Sequence, residues 1–153
     1  MFLHLLTEES ERDFFLMFAQ MIAIAEKEGN IDDNFKMLSK FALEMGKNLE
    51  EDDIKSATKN LYNLLKCHDP KFVLDKFISK NNVTAFPVEK RKIILMEAIA
   101  MAYADGCIYN SEQDLIEYFC ARCNLDKELI EEFREIIKQF YKLSAKSLEL
   151  ITE

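Results

Sequence analysis

The feature that most constrains this chain is its near lack of residues that interrupt helices. Only 3 glycines and 2 prolines occur among 153 residues, whereas average usage would give roughly 10 glycines and 8 prolines. A loop-rich or all-β chain needs many more, since these residues supply the backbone angles of tight turns. Hydrophobic residues make up 49% of the chain. That fraction excludes intrinsic disorder and favours a single folded domain over residues 1–153.

The charge balance narrows the classes of partner. Acidic residues outnumber basic ones by 28 to 20, so the formal net charge is −8. Nucleic acids and anionic membranes are bound through clustered Lys and Arg, so neither is expected as a partner. The apolar start, residues 1–6, is too short for a signal sequence and runs into Glu8 and Glu9. We therefore predict a cytoplasmic protein whose four cysteines are free thiols.

Capping residues and apolar periodicity divide the chain into about seven helices. Side chains of Thr, Asn, Asp and Ser cap helix starts, and Gly or Asn closes helix ends. The predicted starts are Thr7, Asp32, Asn48, Asp69-Pro70, Pro87, Asn110 or Ser111, and Asp126, and the predicted ends are Gly29, Gly46, Asn81-Asn82, Gly106 and Asn124. No alternating strand pattern competes, so the predicted fold class is all-α, a compact helical bundle. The fifth helix is apolar nearly all round from Ile93 onward, which predicts that it is the buried one.

Helical spacing also predicts which residues face the core. The predicted inward faces are Phe14, Phe18, Met21 and Ala25; Leu38, Phe41, Ala42 and Met45; Ile54, Ala57, Leu61 and Leu65; Phe72, Val73, Phe77 and Ile78; Leu115, Ile116 and Phe119; and Ile130, Phe133, Ile137, Phe140 and Tyr141. The tail from Ser144 is amphipathic at best, so we expect it to fray.

Two segments of the chain read alike. Residues 23–31 and 100–108, 77 positions apart, each combine the end of a helix with a glycine turn and an Ile two residues later. We predict two similar three-helix halves, approximately 7–67 and 87–143, joined by a helix near 70–80. The alternative is two unrelated helical connections with common turn chemistry, because glycine closes helices widely.

The second copy carries a motif that resembles a known family. Residues 102–108 read Ala-Tyr-Ala-Asp-Gly-Cys-Ile, and Glu112 follows seven positions after Asp105. This pattern resembles the Ala-Asp-Gly…Glu motif of the tellurite-resistance TerB-like family. The resemblance covers residues 92–143 well and residues 14–65 only through the helix pattern and one glycine turn. It implies a helical bundle of two similar halves, a cytoplasmic role in stress or tellurite resistance without an established reaction, and acidic positions that bind a metal ion.

Carried over to this chain, the resemblance assigns a divalent metal ion to Asp105 and Glu112. The first copy departs from the pattern, since Glu28 stands at the Asp position and Phe35 at the Glu position. A metal site in the first half would have to use Asp32 or Asp33 in place of Phe35, so a symmetrical pair of sites is not expected.

The residues of the second turn leave two interpretations open. An EF-hand is excluded, because its first and third ligand positions would be Met101 and Tyr103, which carry no carboxylate. A simpler cation site is one interpretation, with Asp105 ending one helix and Glu112 beginning the next. In the other, Gly106 closes the fifth helix and Glu112 only complements the positive end of the sixth.

Three further features bear on function. Glu97 interrupts the apolar fifth helix; it lies either on a wet edge of that helix or in the interior, where it needs a hydrogen-bonding partner. Cys120 and Cys123 have the spacing of a zinc or redox pair, which Cys67 and His68 could complete, or are plain buried thiols. No phosphate-binding glycine loop and no Ser–His–Asp arrangement is evident.

These observations predict a non-enzymatic, cytoplasmic, TerB-like domain that takes a divalent cation through Asp105 and Glu112, with no catalytic residue. The alternative is a metal-free module that self-associates or docks an unknown protein partner through an apolar groove between the halves. A third possibility is an enzyme that uses Glu97 as a desolvated acid.

Overall fold

The structure is a computed structural model that describes residues 1–26, 31–104 and 106–152, the side chains of residues 26 and 31–34 apart. Across these ranges it contains seven α-helices, two short 3-10 helices and no strand. The α-helices are α1 (Glu9–Glu26), α2 (Ile31–Glu44), α3 (Glu51–Cys67), α4 (Pro70–Lys80), α5 (Val88–Ala102), α6 (Asn110–Arg122) and α7 (Glu128–Thr152). The 3-10 helices span Leu3–Leu5 and Val83–Ala85. The prediction of a compact all-α bundle is confirmed.

Helices α1 and α5 form the centre of the bundle. Helix α1 contacts α2 through α6, while α5 contacts α1, α6, α7 and the first 3-10 helix. The prediction that the fifth helix is buried is confirmed, because seven of its residues between Ile94 and Ala102, Glu97 among them, are buried. The rings of Phe14 and Phe18 on α1 pack against Phe119 of α6, with centroids 5.8 and 5.0 Å away. Aromatic contacts of this kind add to the stability gained from burial.

Several helix boundaries are confirmed in detail. The Asp69 side chain accepts a hydrogen bond from the backbone N–H of Lys71 at 2.8 Å, and Pro70 is the first residue of α4. Gly46 and Asn124 have φ values of 73° and 52°. This left-handed conformation lets the following N–H groups bond back to the last carbonyls of α2 and α6.

Other predicted starts are wrong, because first-turn acids take over the role assigned to short capping residues. Helix α1 begins at Glu9, and the Glu11 carboxylate accepts hydrogen bonds from the N–H groups of Thr7 and Glu8. Helix α6 begins directly after Tyr109, whose N–H is bound by Glu112.

The remaining boundary errors are shifts of a few residues. Helix α3 begins at Glu51, after Glu50 rather than Asn48. Helix α7 begins at Glu128 rather than directly after Asp126. Its end is helical to Thr152, so the tail does not fray. Helix α2 begins at Ile31, so Asp32 lies within it and is not its cap, and α5 ends at Ala102, ahead of the predicted Gly106. Acidic residues in the first turns of α3 and α7 stabilise these starts through the helix dipole.

Three of the predicted faces are wrong in part. On α3, Ala57 is exposed and Thr58 is buried in its place. Phe72 of α4 lies on the surface, where its ring packs against His68 and beneath Lys76. On α7, Phe140 and Tyr141 are partly exposed, because this helix runs beyond the body of the bundle.

The order of helices follows the division predicted from the repeat. Three α-helices precede α4 and three follow it, and α4 spans Pro70–Lys80 as expected. The similarity of the two halves stays a prediction, since Gly29 and Asp105 of the two turns lie outside the described residues. Among the helices that the structure describes, none combines the length and the apolar character needed to cross a membrane.

Candidate functional site

A cavity of about 820 Å³ lies between the two predicted halves of the bundle. Its apolar walls include Met37 and Phe41 of α2, Met101 of α5 and Phe140 of α7. This volume and this apolar lining are typical of small-molecule sites, which commonly measure about 300–1,000 Å³. An apolar groove between the halves that docks a partner or a second copy stays a prediction.

Two carboxylates form the polar end of this cavity. Glu97 on α5 is 5% exposed, whereas Glu44 at the end of α2 lies at the surface, with 33% of its side chain exposed. The amino group of Met1 lies between them, 2.9 Å from Glu97 Oε1 and 3.0 Å from Glu44 Oε1. The next backbone N–H groups also donate, that of Phe2 to Glu97 and that of Leu3 to Glu44. We call Glu44 and Glu97 the carboxylate pair.

The carboxylate pair decides between the two interpretations of Glu97. The wet-edge interpretation is wrong, because Glu97 is buried and bound by two N–H donors from residues 1 and 2. A buried carboxylate is tolerated only when such partners replace the lost water. Burial opposes the charge of the Met1 amine, but hydrogen bonds to Glu97 and Glu44, together with their negative charges, outweigh it and raise its pKa.

Tyr141 ties α7 to the cavity wall. Its hydroxyl donates a hydrogen bond of 3.2 Å to the carbonyl oxygen of Ala100 on α5. Burial, and then the negative charge of Glu97, raises the pKa of Tyr141. The hydroxyl therefore stays protonated at neutral pH and serves as a fixed donor beside the carboxylate pair.

The acidic turn singled out from the sequence is only partly described. Asp105 and Glu28 lie outside the described residues. Glu112 is completely buried, and its Oε2 accepts a 2.9 Å hydrogen bond from the N–H of Tyr109. The neighbouring Ser111 donates to the carbonyl oxygen of Ala25 at 2.9 Å, which brings the end of α1 beside the start of α6. Within residues 1–26, 31–104 and 106–152, no three His, Cys, Asp or Glu side chains are grouped so as to hold a metal ion.

The cysteines do not form the zinc set considered from the sequence. Cys67 is exposed at the end of α3, whereas Cys120 and Cys123 are buried at the end of α6. All four cysteines and both histidines belong to the described residues, and no metal-binding group of three is found there. Burial raises the pKa of Cys123 to about 12, although Arg91 and Arg122 act in the opposite direction. These buried thiols are protonated core residues at neutral pH.

Sequence reasoning identified Glu97 but missed the rest of this site. Glu44 is one acidic residue among 28, and its position at the end of α2 carries no signal of function. The Met1 amine reaches the two carboxylates because of the path that residues 1–6 follow. The buried side chains of Leu3 and Leu6 hold this segment against the core. Of the α2 face that was predicted to be core, Leu38, Ala42 and Met45 are buried, whereas Phe41 lines the cavity.

Comparisons of the chain with protein-family models, with curated proteins and with solved structures found no match.

Proposed function

We propose that the protein is a non-enzymatic binding module that holds an amphipathic small molecule in the cavity between α2, α5 and α7. The observation that carries this proposal is the combination of an apolar cavity of about 820 Å³ with a carboxylate pair at one end. Sites for small ligands combine such apolar walls with a few convergent polar groups. Among the described residues that line the cavity there is no His, Ser or Cys, so no Ser–His or Cys–His pair lies there.

The ligand class follows from the polar end. Carboxylates accept hydrogen bonds and favour a positive charge, and in this structure they already surround a primary ammonium group, that of Met1. An apolar molecule that carries an ammonium group fits this arrangement better than a carboxylic acid of equal length. The apolar body would contact Met37, Phe41 and Met101.

The proposal is tested by fluorescence binding of the neutral apolar dye Nile red and its displacement by matched C10 ligands. Decylamine should displace the dye most effectively, decanol less, and decanoate least, because only the amine forms charge-assisted hydrogen bonds. We expect about a tenfold difference between amine and alcohol, equivalent to about 1.4 kcal/mol. Glu97→Gln, with Glu44→Gln beside it, should reduce that preference.

A matched pair of variants locates the binding site. Ala104→Phe places a ring at the exposed mouth of the cavity and should weaken dye binding. Ala57→Phe makes the same change on the exposed face of α3, away from the cavity, and should leave binding unchanged. Equal binding by both variants, or displacement by decanoate as strong as by decylamine, would contradict the proposal.

A divalent cation at Asp105 and Glu112 is a second candidate. The observation that favours it is the Ser111–Ala25 hydrogen bond, which brings the end of α1 beside the start of α6, where Glu112 is buried. Calorimetry with Mg²⁺, Mn²⁺, Ca²⁺ and Zn²⁺ tests it. Binding that is lost in Asp105→Asn would support the site, whereas heat that is unchanged in this variant would remove it.

A cytoplasmic role in tellurite or stress resistance is supported by the resemblance of residues 102–112 alone. Deleting the gene and challenging the cells with tellurite tests that role, and unchanged survival would count against it.

A further inference from the structure

A groove of about 340 Å³ lies between the end of α3 and helix α4. Its apolar walls are Leu64 of α3 and Phe72 and Phe77 of α4, and the buried Val73 completes the lining. Leu64 and Phe72 are 41% and 49% exposed, so the groove is open to solvent. It shares no described residue with the cavity of the proposed function. We call it the α3–α4 groove.

The rim of the α3–α4 groove is basic. Lys76 and Lys80 lie about one helical turn apart on α4, and His68 directly follows the end of α3. The Lys76 Nζ lies 4.9 Å from the centre of the Phe72 ring, and the His68 ring packs against the other atoms of this ring with centroids 5.6 Å apart. A positive charge is thus held directly beside the apolar wall. None of the described residues that line the groove is acidic.

This basic rim stands out in an acidic chain. The whole chain carries a formal net charge of −8, whereas residues 54–80 contain six Lys and only two acids, Asp69 and Asp75. Both acids have partners outside the groove. Asp69 caps the start of α4, and Asp75 binds Tyr118 and Arg122 of α6. The positive charge of the rim is therefore available to attract an anion.

We propose that the α3–α4 groove binds a small apolar anion, a carboxylate with an alkyl or aromatic body. The body packs against Leu64, Phe72 and Phe77. The ammonium groups of Lys76 and Lys80 donate to the carboxylate oxygens, and such charge-assisted hydrogen bonds are stronger than neutral ones. Apolar walls with a few convergent polar groups, in a volume of about 300 Å³ or more, are typical of small-ligand sites.

The dimensions of the groove favour a small molecule over a protein segment. From Phe72 to Lys80 it follows α4 for about 12 Å. A stable protein interface buries about 800 Å² on each partner, which is more than a groove of this length offers. The charge of this ligand is opposite to that of the proposed function, where two carboxylates favour an ammonium group. The two sites can therefore be tested separately with one set of ligands.

Fluorescence of the anionic apolar dye anilinonaphthalene sulfonate, and its displacement by C10 ligands, tests this proposal. Decanoate should displace the dye most effectively, decanol less and decylamine least, which is the reverse of the order expected for the cavity. We expect decanoate to bind about tenfold more tightly than decanol. Ala104→Phe, at the mouth of the cavity, should leave this dye signal unchanged. Displacement by decylamine as strong as by decanoate, or loss of the signal in Ala104→Phe, would overturn the proposal.

A matched set of lysine variants tests the basic rim. Lys76→Gln and Lys80→Gln should each weaken decanoate binding about threefold, as expected for an exposed charge pair, and should leave decanol binding unchanged. Lys71→Gln removes the same charge from the exposed start of α4, outside the groove, and should change neither. Equal effects of all three variants would show that only the net charge of the segment matters, and the proposal would be wrong.

A second matched pair tests the apolar wall. Phe72 and Tyr62 are exposed rings that each lie beneath a lysine ammonium, but only Phe72 lines the groove. Phe72→Ala should weaken the binding of decanoate and of decanol alike, because both ligands lose the same apolar contact. Tyr62→Ala should weaken neither. Unchanged binding in Phe72→Ala would remove the groove as the site.

Two other occupants of the groove are distinct outcomes. Displacement of the dye by polyglutamate, at a lower concentration of carboxylate groups than decanoate needs, would assign the groove to an acidic protein segment. Binding to phosphatidylserine vesicles that is abolished by Phe72→Ala would assign it to a membrane surface. Either result would contradict a site for a small apolar anion.

Discussion

At the scale of single residues, Glu97 shows how a buried charge is kept in a helical core. Its carboxylate would be costly if it were unpaired, but the amino group of Met1 and the N–H of Phe2 bind it. Removing one partner of such a buried ion pair lowers stability by more than the intact pair contributes, because the other charge is then buried without a partner. Glu97 thus fixes the path of the first residues while it shapes the polar end of the cavity.

The four thiols should divide into two reactive and two protected groups. Cys67 and Cys107 are exposed, whereas Cys120 and Cys123 are buried, and burial raises the pKa of Cys123 to about 12. Because the thiolate is the reactive form, a disulfide-exchange reagent at pH 8 should modify two cysteines per chain rapidly. The other two should react only after denaturant is added.

Substitutions identify which thiols belong to each group. Cys67→Ser should remove one rapid equivalent, and Cys123→Ser should remove only a slow one. Rapid modification of all four thiols in the native protein would show that the end of α6 opens readily.

At the scale of helices, the sequence predicted which segments are helical better than it predicted the residues at which each helix begins and ends. The segment Asp69-Pro70 predicted the start of α4 correctly because its signal is local: one side-chain oxygen and one proline that already has a helical φ. Asn48 looked equally suitable as the cap of α3, yet the cap is Glu50, two residues later, and α3 begins at Glu51. A run of acids at the start gives the dipole stabilisation without any single capping contact, so the exact first residue is weakly specified.

Two N-cap residues allow the contribution of the capping hydrogen bond to stability to be measured separately from that of charge. The Asp69 side chain accepts from the N–H of Lys71, whereas Glu50 caps α3 without a side-chain hydrogen bond. Asp69→Ala should therefore lower the free energy of unfolding by about 1 kcal/mol. Glu50→Ala should cost clearly less, through the weakened dipole interaction alone. Urea denaturation of both variants checks the difference, and equal losses would show that the Asp69 contact contributes nothing beyond charge.

At the scale of the whole molecule, the core could be predicted and the site could not. Helical spacing placed Phe14, Phe18 and Phe119 in the interior correctly, since burial of an apolar face follows from periodicity. The cavity depends on how α2, α5 and α7 are arranged around one another, and periodicity does not determine that arrangement. Glu44 and Glu97, which lie 53 positions apart, meet only because residues 1–3 run between their helices.

Two ionic contacts connect distant parts of the bundle. The Met1 amine joins the start of the chain to α2 and α5 through the carboxylate pair. Asp75 joins α4 to α6, because its Oδ1 accepts from Tyr118 at 3.0 Å and pairs with Arg122 at 2.5 Å. Hydrogen bonds from Arg122 and then from Tyr118 lower the pKa of Asp75.

These contacts predict that stability falls at low pH through Asp75 and at high pH through the Met1 amine. The Asp75 pKa is lowered from 3.8, so its contribution is present above that value and is lost as the pH falls through the folded value. The pKa of the Met1 amine is raised from 8.0, so its contribution is present below pH 8.0 and is lost as the pH rises through the folded value. The pKa values of Cys120 and Cys123 are raised as well, so these thiols reduce stability only when the pH exceeds the ordinary thiol pKa of 9.0.

The free energy of unfolding, measured against pH, should therefore fall at low pH and again at high pH. We call these two ranges the acid limb and the alkaline limb, and a different variant should remove each of them. Asp75→Asn should flatten the acid limb and leave the interval between pH 8 and 9 unchanged. Glu97→Gln should lower stability at neutral pH and flatten that alkaline interval, because the Met1 amine then loses its main acceptor. Arg122 is exposed on its side of the Asp75 pair, so high salt should weaken the acid limb more than the alkaline one. If Glu97→Gln left the slope between pH 8 and 9 intact, the amine would not be bound by the carboxylate pair in solution.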